Sequence, residues 1–171
     1  MICEYNGMRP RVGKNVFIAS TAVVLGDVEI EDGSSIWYNA VLRGDQEHIH
    51  VGRNTNIQDN CTVHIDRGFP VGIGDNVIVG HNAVIHGCTI EDDCLIGIGA
   101  IVLNDAQIKS GSIVAAGSVV KTSQVIGPRH LVVGSPAVLK KMLSDDVIDE
   151  IRKNAHTYCI LAEGHRRIKG L

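Results

Sequence analysis

Branched aliphatic residues recur in this chain at intervals of six: Val12, Ile18, Val24, Ile30, Ile36 and Leu42, then Val51, Ile57 and Val63, then Ile73, Val79 and Ile85. After a step of five the series resumes at Ile90 and runs through Ile96, Val102, Ile108, Val114, Val120, Ile126, Val132 and Val138. Four positions after many of these stands a small residue, as at Ala22, Ser34, Ala40, Cys61, Ala83, Cys94, Ala100, Ala106, Ser112 and Ser118. An amphipathic α-helix needs its apolar residues at three and four, so a period of six excludes one. A large and a small inward side chain per six residues instead describes short flat strands joined by tight corners. Three such strands, about 18 residues, close a triangular turn, and turns stack about 4.8 Å apart as an all-β solenoid, a parallel β-helix. Residues 12–138 supply roughly seven turns, with loops leaving the coil at 43–50 and 66–72.

The ending breaks the period. Pro136 falls just past the last coil, and Ser144 followed by Asp145 and Asp146 reads as a helix N-cap with an acidic first turn. Val147, Ile151, Ala155, Tyr158 and Leu161 then follow at helical spacing, which predicts a helix of about 20 residues packed back along the coil. The chain reads as one domain, coil 1–140 and helix with tail 141–171.

Composition narrows the class. Aromatic content of 4% suits a narrow β-structure better than a bulky core. With 16 Lys+Arg against 19 Asp+Glu, no basic field invites nucleic acid. No run approaches the roughly 18 apolar residues of a membrane span, and the N-terminus lacks the apolar core of a signal peptide. The five cysteines, Cys3, Cys61, Cys88, Cys94 and Cys159, show no CxxC spacing and read as reduced thiols of a cytoplasmic protein. Cys61 and Cys94 occupy small inward positions; Cys88 lies two residues after His86 and is a weaker candidate ligand.

On such a coil His64 follows inward Val63, and His86 follows inward Ile85. Three strands separate them, so they occupy equivalent outward places one rung apart, near the separation two metal ligands need. His81, two positions after Val79, faces outward from another side of the prism, and a neighbouring chain around a three-fold axis could bring it to the other pair. Solvated outward histidines are the alternative. Arg43, Asp45, Asn56, Gln58 and Asp59 lie one turn earlier and form a polar cluster whose charges must be paired if buried.

The segment "VLRGDQEHIHVGRNTNIQDNCTVHID", followed by "VIVGHNAVIHGC" and the "GSPA" exit, closely resembles the γ-class carbonic anhydrases and their carbonic anhydrase-like relatives. The resemblance covers nearly the whole chain and implies a left-handed coil and a homotrimer. It also implies Zn2+ (Fe2+ or Co2+ can substitute) held at the subunit interface by His64 and His86 of one chain and His81 of its neighbour. Arg43, Asp45 and Asp59 take the positions of an interfacial arginine and its aspartates, and Gln58 that of the residue orienting the metal-bound hydroxide. The implied reaction is reversible hydration of CO2 to bicarbonate by hydroxide, zinc lowering the pKa of its water to about 7, for which carbonic anhydrases are the standard case.

This chain departs from the archaeal prototype at the proton exit. Gln46 stands where the prototype has a glutamate, and only "IDRGFP" follows His64 in place of an acidic loop. A positioned proton carrier is worth a factor of about 10²–10⁴. Glu47, His48 and Tyr158 are the candidate substitutes; the resemblance puts the helix tyrosine nearest the metal pocket. Two rival readings are a catalytically weak metal-binding scaffold and a hexapeptide-repeat acyltransferase. Three placed histidines and no long protruding acceptor loop count against the latter.

Overall fold

The computed structural model describes residues 1–168. The period of six is realised as three columns of parallel rungs. Ile18, Ile36, Ile57, Val79, Ile96, Val114 and Val132 pair in register down one face. Val24, Leu42, Val63, Ile85, Val102 and Val120 form the second column, and Val12, Ile30, Val51, Ile73, Ile90, Ile108 and Ile126 the third. All but Val12 and Ile18 are buried. The result is a parallel β-solenoid of about seven turns that agrees with the left-handed β-helix expected.

Corners are tight because two residue types cooperate. Ala22, Ala40, Cys61, Ala83, Ala100 and Ala106 point inward and are fully buried. Next to several of these stands a residue in the left-handed region, Asn39, Asn60 and Asn82 at φ 60° and Asp105 at φ 59°. Asn and Asp enter that region most readily among residues with a side chain.

Two expectations are corrected and one is met. Residues 43–50 do not leave the coil as a loop: Val41–Val51 is one continuous strand. It pairs Gly44 with Gly26 and Ile49 with Val28, so it carries three more residues than its partner between those pairs, a wide bulge held at both ends. The interruption after His64 is a true loop, closed by a bridge between Asp66 and Phe69 and pinned where Gly68 N donates to Glu47 Oε1 at 2.9 Å. Val138, expected as a last inward position, is 59% exposed, because Val138–Met142 turns back and pairs antiparallel with His130–Val133.

The helix spans Asp145–His165. Ser144 takes the N-cap position with extended backbone but its hydroxyl makes no cap hydrogen bond, so the first turn leans on Asp145 and Asp146. Its buried stripe is Ile148, Ile151, Ala155 and Ala162, one position off the expected Val147 and Leu161. The helix lies against the face containing Ser35–Ile36 and Ile78–Val79. There Arg152 grips the buried Asp93 carboxylate with two hydrogen bonds, of 2.7 and 3.0 Å. No described helix is long and apolar enough to cross a membrane. Residues 169–171 of the expected tail lie outside the described residues.

Candidate metal centre

Stacking of Thr62–His64 under Val84–His86 sets His64 and His86 opposite one another. Their rings meet at 5.0 Å between centroids, and Nδ1 of His64 lies 3.0 Å from Nε2 of His86. The far nitrogen of each ring is engaged from behind. His64 Nε2 is 3.2 Å from Asp45 Oδ1, and His86 Nδ1 is 2.5 Å from Asn104 Oδ1. Asn104 Nδ2 in turn donates to Asp66 Oδ2 at 2.8 Å.

These partners fix tautomers. A carboxylate and an amide oxygen only accept, so His64 carries its proton on Nε2 and His86 on Nδ1. Two nitrogen lone pairs then face each other, an arrangement that a cation or a shared proton between them satisfies. Arg43 Nη1 donates to the other oxygen of Asp45. Burial pushes the Asp45 carboxyl up, but the hydrogen bonds from Arg43 and His64 outweigh it and hold the group below its ordinary value.

The other expected residues gather elsewhere in the same chain. His81, at the corner after Ile78–Val79, places Nδ1 2.9 Å from Asp59 Oδ2. Tyr158 packs edge-on to Trp37 at 5.4 Å, and its phenol is raised by burial and by the charge of Asp59. Gln58 is buried and donates from Nε2 to Asn56 Oδ1 at 3.0 Å. Asn56 Nδ2 is buried with no acceptor among the described residues, which marks a place where a partner atom is due. His81 does not join His64 and His86 within one chain; the one described group of three ligating atoms within 4.8 Å of one another is Glu29, His48 and His50.

Several of these residues escaped the sequence reading. Asn104 lies 18 residues after His86, one regular turn, and the repeat itself could have found it. Asp66 reaches Asn104 only because the loop after His64 folds back, and no spacing announces that. Among the candidate proton carriers, Glu47 is committed to the loop at Gly68, and His48 Nδ1 sits 3.1 Å from Asp27 Oδ1. Burial pushes the thiols of Cys61, Cys88 and Cys94 up to about 12, and Cys88 belongs to the buried core of the coil.

The donor set fits a borderline divalent ion. Neutral imidazoles with proton-bearing far nitrogens held by oxygen acceptors suit zinc, iron or cobalt. His64 and His86 would supply two ligands from one chain, with room for others.

Comparison with known proteins places the coil. Residues 9–44 and 87–122 match the bacterial transferase hexapeptide (six repeats) family. A Methanocaldococcus jannaschii protein named "Probable carbonic anhydrase" is 52% identical over 89% of this chain and 96% of its own length. Mitochondrial gamma carbonic anhydrase 2 of Arabidopsis thaliana is 48% identical over 91% of this chain, which spans 58% of that longer protein. The crystal structure of a hexapeptide transferase family protein from Anaplasma phagocytophilum superposes with a TM-score of 0.92 at 38% identity, covering 96% of this chain and 97% of that one. Identity of this extent along nearly the whole coil, including the turns that stack His64 on His86, makes this chain a member of the γ-class carbonic anhydrase family.

Proposed function

We propose that the protein is a carbonic anhydrase that hydrates CO2 reversibly to bicarbonate at metal centres shared between the subunits of a homotrimer. In this reading His64 and His86 of one subunit and His81 of the next hold Zn2+, with Fe2+ or Co2+ as substitutes. The observation that carries it is the facing pair of ring nitrogens on His64 and His86, 3.0 Å apart, with the far nitrogen of each ring against an oxygen acceptor. The division of the chain's site residues into two separate clusters supports sharing: His64, His86, Asp45 and Arg43 in one, His81, Asp59 and Tyr158 in the other.

When bound, the ion supplies an acidified water, ionised near neutral pH. Asp45 keeps the His64 proton on Nε2, and Asn104 keeps the His86 proton on Nδ1, so both rings present lone pairs outward. Arg43 holds Asp45 ionised for that task. Gln58, its Nε2 committed to Asn56, has Oε1 left to accept a hydrogen bond from a hydroxyl-bearing reactant. Tyr158, with its phenol raised, stays protonated and serves as a donor. The five unpaired thiols support a reducing, cytoplasmic setting.

A second reading, a metal-binding trimer with little turnover, is favoured by one observation: Glu47, one of the candidate proton carriers, is bound to Gly68 N. Stopped-flow CO2 hydration on protein purified anaerobically and reloaded with zinc, iron or cobalt separates the two. Hydration that scales with bound metal and vanishes in His86→Ala is the expected result. Stoichiometric metal without hydration above buffer would sink the enzyme reading, and saturable binding of acetyl-CoA would turn attention to acyl transfer.

A further inference from the structure

The bulge in Val41–Val51 does more than accommodate extra residues. The first half of this strand pairs under His64, while its second half, Ile49–His50–Val51, pairs with Val28–Glu29–Ile30 and turns onto a different face. Glu29 and His50 are register partners there, and both point outward between buried neighbours. The three extra residues swing His48 back over the same face, its ring 6.4 Å from that of His50. One ligating atom from each of Glu29, His48 and His50 then lies within 4.8 Å of the others.

We propose that Glu29, His48 and His50 form a second cation site, on the outer face of the coil, that takes a borderline first-row divalent ion such as Zn2+, Ni2+ or Cu2+. Asp27 accepts from His48 Nδ1 at 3.1 Å, so the proton is held on the far side of the ring. The lone pair of His48 Nε2 then faces Glu29 Oε2, 3.8 Å away. An ion seated between this nitrogen and the carboxylate, in place of Arg11, would be bound by both. Two imidazoles and one carboxylate with open positions suit borderline ions rather than Mg2+ or Ca2+, which favour oxygen cages.

The chain also holds a built-in competitor. Arg11 donates from Nη2 to Glu29 Oε2 at 3.1 Å and approaches Asp27 Oδ1 at 3.5 Å. Its side chain is 59% exposed, so it can swing into solvent when an ion takes Glu29. An ion at Glu29 therefore competes with Arg11 for the same carboxylate oxygen.

Metal-free, untagged full-length protein titrated with Zn2+ by equilibrium dialysis tests this. His64→Ala/His86→Ala is expected to retain one ion per chain, and adding His48→Ala/His50→Ala is expected to remove it. In the first background Cu2+ should show nitrogen hyperfine splitting from two imidazoles in its electron paramagnetic resonance spectrum. Glu29→Gln, which keeps the shape, should weaken Zn2+ binding about tenfold, and Arg11→Gln should tighten it several-fold. Equal binding by the double and quadruple variants, with circular dichroism unchanged, would overturn the proposal. Because both variants lack the His64 and His86 ligands, that result stands apart from any failure of the interface centre.

Discussion

Asn104 accepts a hydrogen bond from His86 at 2.5 Å and passes the constraint to Asp66 at 2.8 Å, tying a ring on one turn to a corner and a loop on two others. The chain of contacts makes Asn104 a positioning residue: it sets which nitrogen of His86 faces His64.

Asn104→Ala is expected to weaken metal binding at the His64 and His86 centre about 10- to 100-fold, the usual cost of losing a partner behind a ligand. Asn104→Asp keeps an acceptor and should restore most of it. Competition against a chromophoric chelator reads the affinity, and the visible spectrum of the Co2+ form reads ligand geometry. Equal loss in both variants would mean that the residue acts through folding instead.

The His81 side chain is 39% accessible, so His81→Ala should leave the thermal midpoint of the metal-free protein unchanged while removing the zinc held at the His64 and His86 centre, one ion per chain fewer than the parent. Mixing His64→Ala with His81→Ala subunits under exchange should recover part of the metal content, since some mixed interfaces present an intact triad. Light scattering should show a trimer throughout, and a stable monomer would count against shared centres.

Cys61, Cys88 and Cys94, with thiols near 12, should resist iodoacetamide at pH 8, where on the order of one in 10⁴ is thiolate. Mass spectrometry of the native protein should find them unmodified over hours and fully modified once denaturant opens the coil. Early labelling of Cys88 would mean that the turn carrying His86 breathes.

Glu91 accepts from Lys109 Nζ at 3.0 Å and from Ser110 N at 2.9 Å, and the Lys109 hydrogen bond leads the causes that hold its carboxyl below the usual value. A depressed folded-state pKa stabilises the protein above the unfolded value of about 4.3, and that contribution fades as pH falls through the folded value. Glu91→Gln should therefore be slightly less stable than the parent at pH 6, and the two should converge in acid. Solvent screening at this exposed pair keeps the gap small. Urea unfolding at several pH values checks it, and a gap that widens below pH 4 would contradict the sign.

Much of this was legible one residue at a time. Val63 and Ile85 belong to the period, so their successors His64 and His86 had to stack on one outer face. Asn82, at a corner, carries the mark of a left-handed turn in its residue type. Other features were misread for physical reasons. Val138 keeps the period but follows Pro136 out of the coil, and burial is decided by whether another rung covers it. Ile148 rather than Val147 is buried, and the same rotation of the helix sets Arg152 on Asp93, a contact that spans 59 residues of sequence.

By itself the sequence determined the coil: with one large and one small apolar residue per six, any other winding would expose the aliphatic columns to water. It thereby determined that His64 and His86 are neighbours and that His81 is not. Only the tertiary structure decided which nitrogen each ring turns outward, and that Glu29 meets His48. Those contacts run sideways between turns, and the offset between turns depends on how the bulge at 44–48 and the loop at 66–70 fold. A repeat of six encodes burial along the chain, but carries no record of where its interruptions lean.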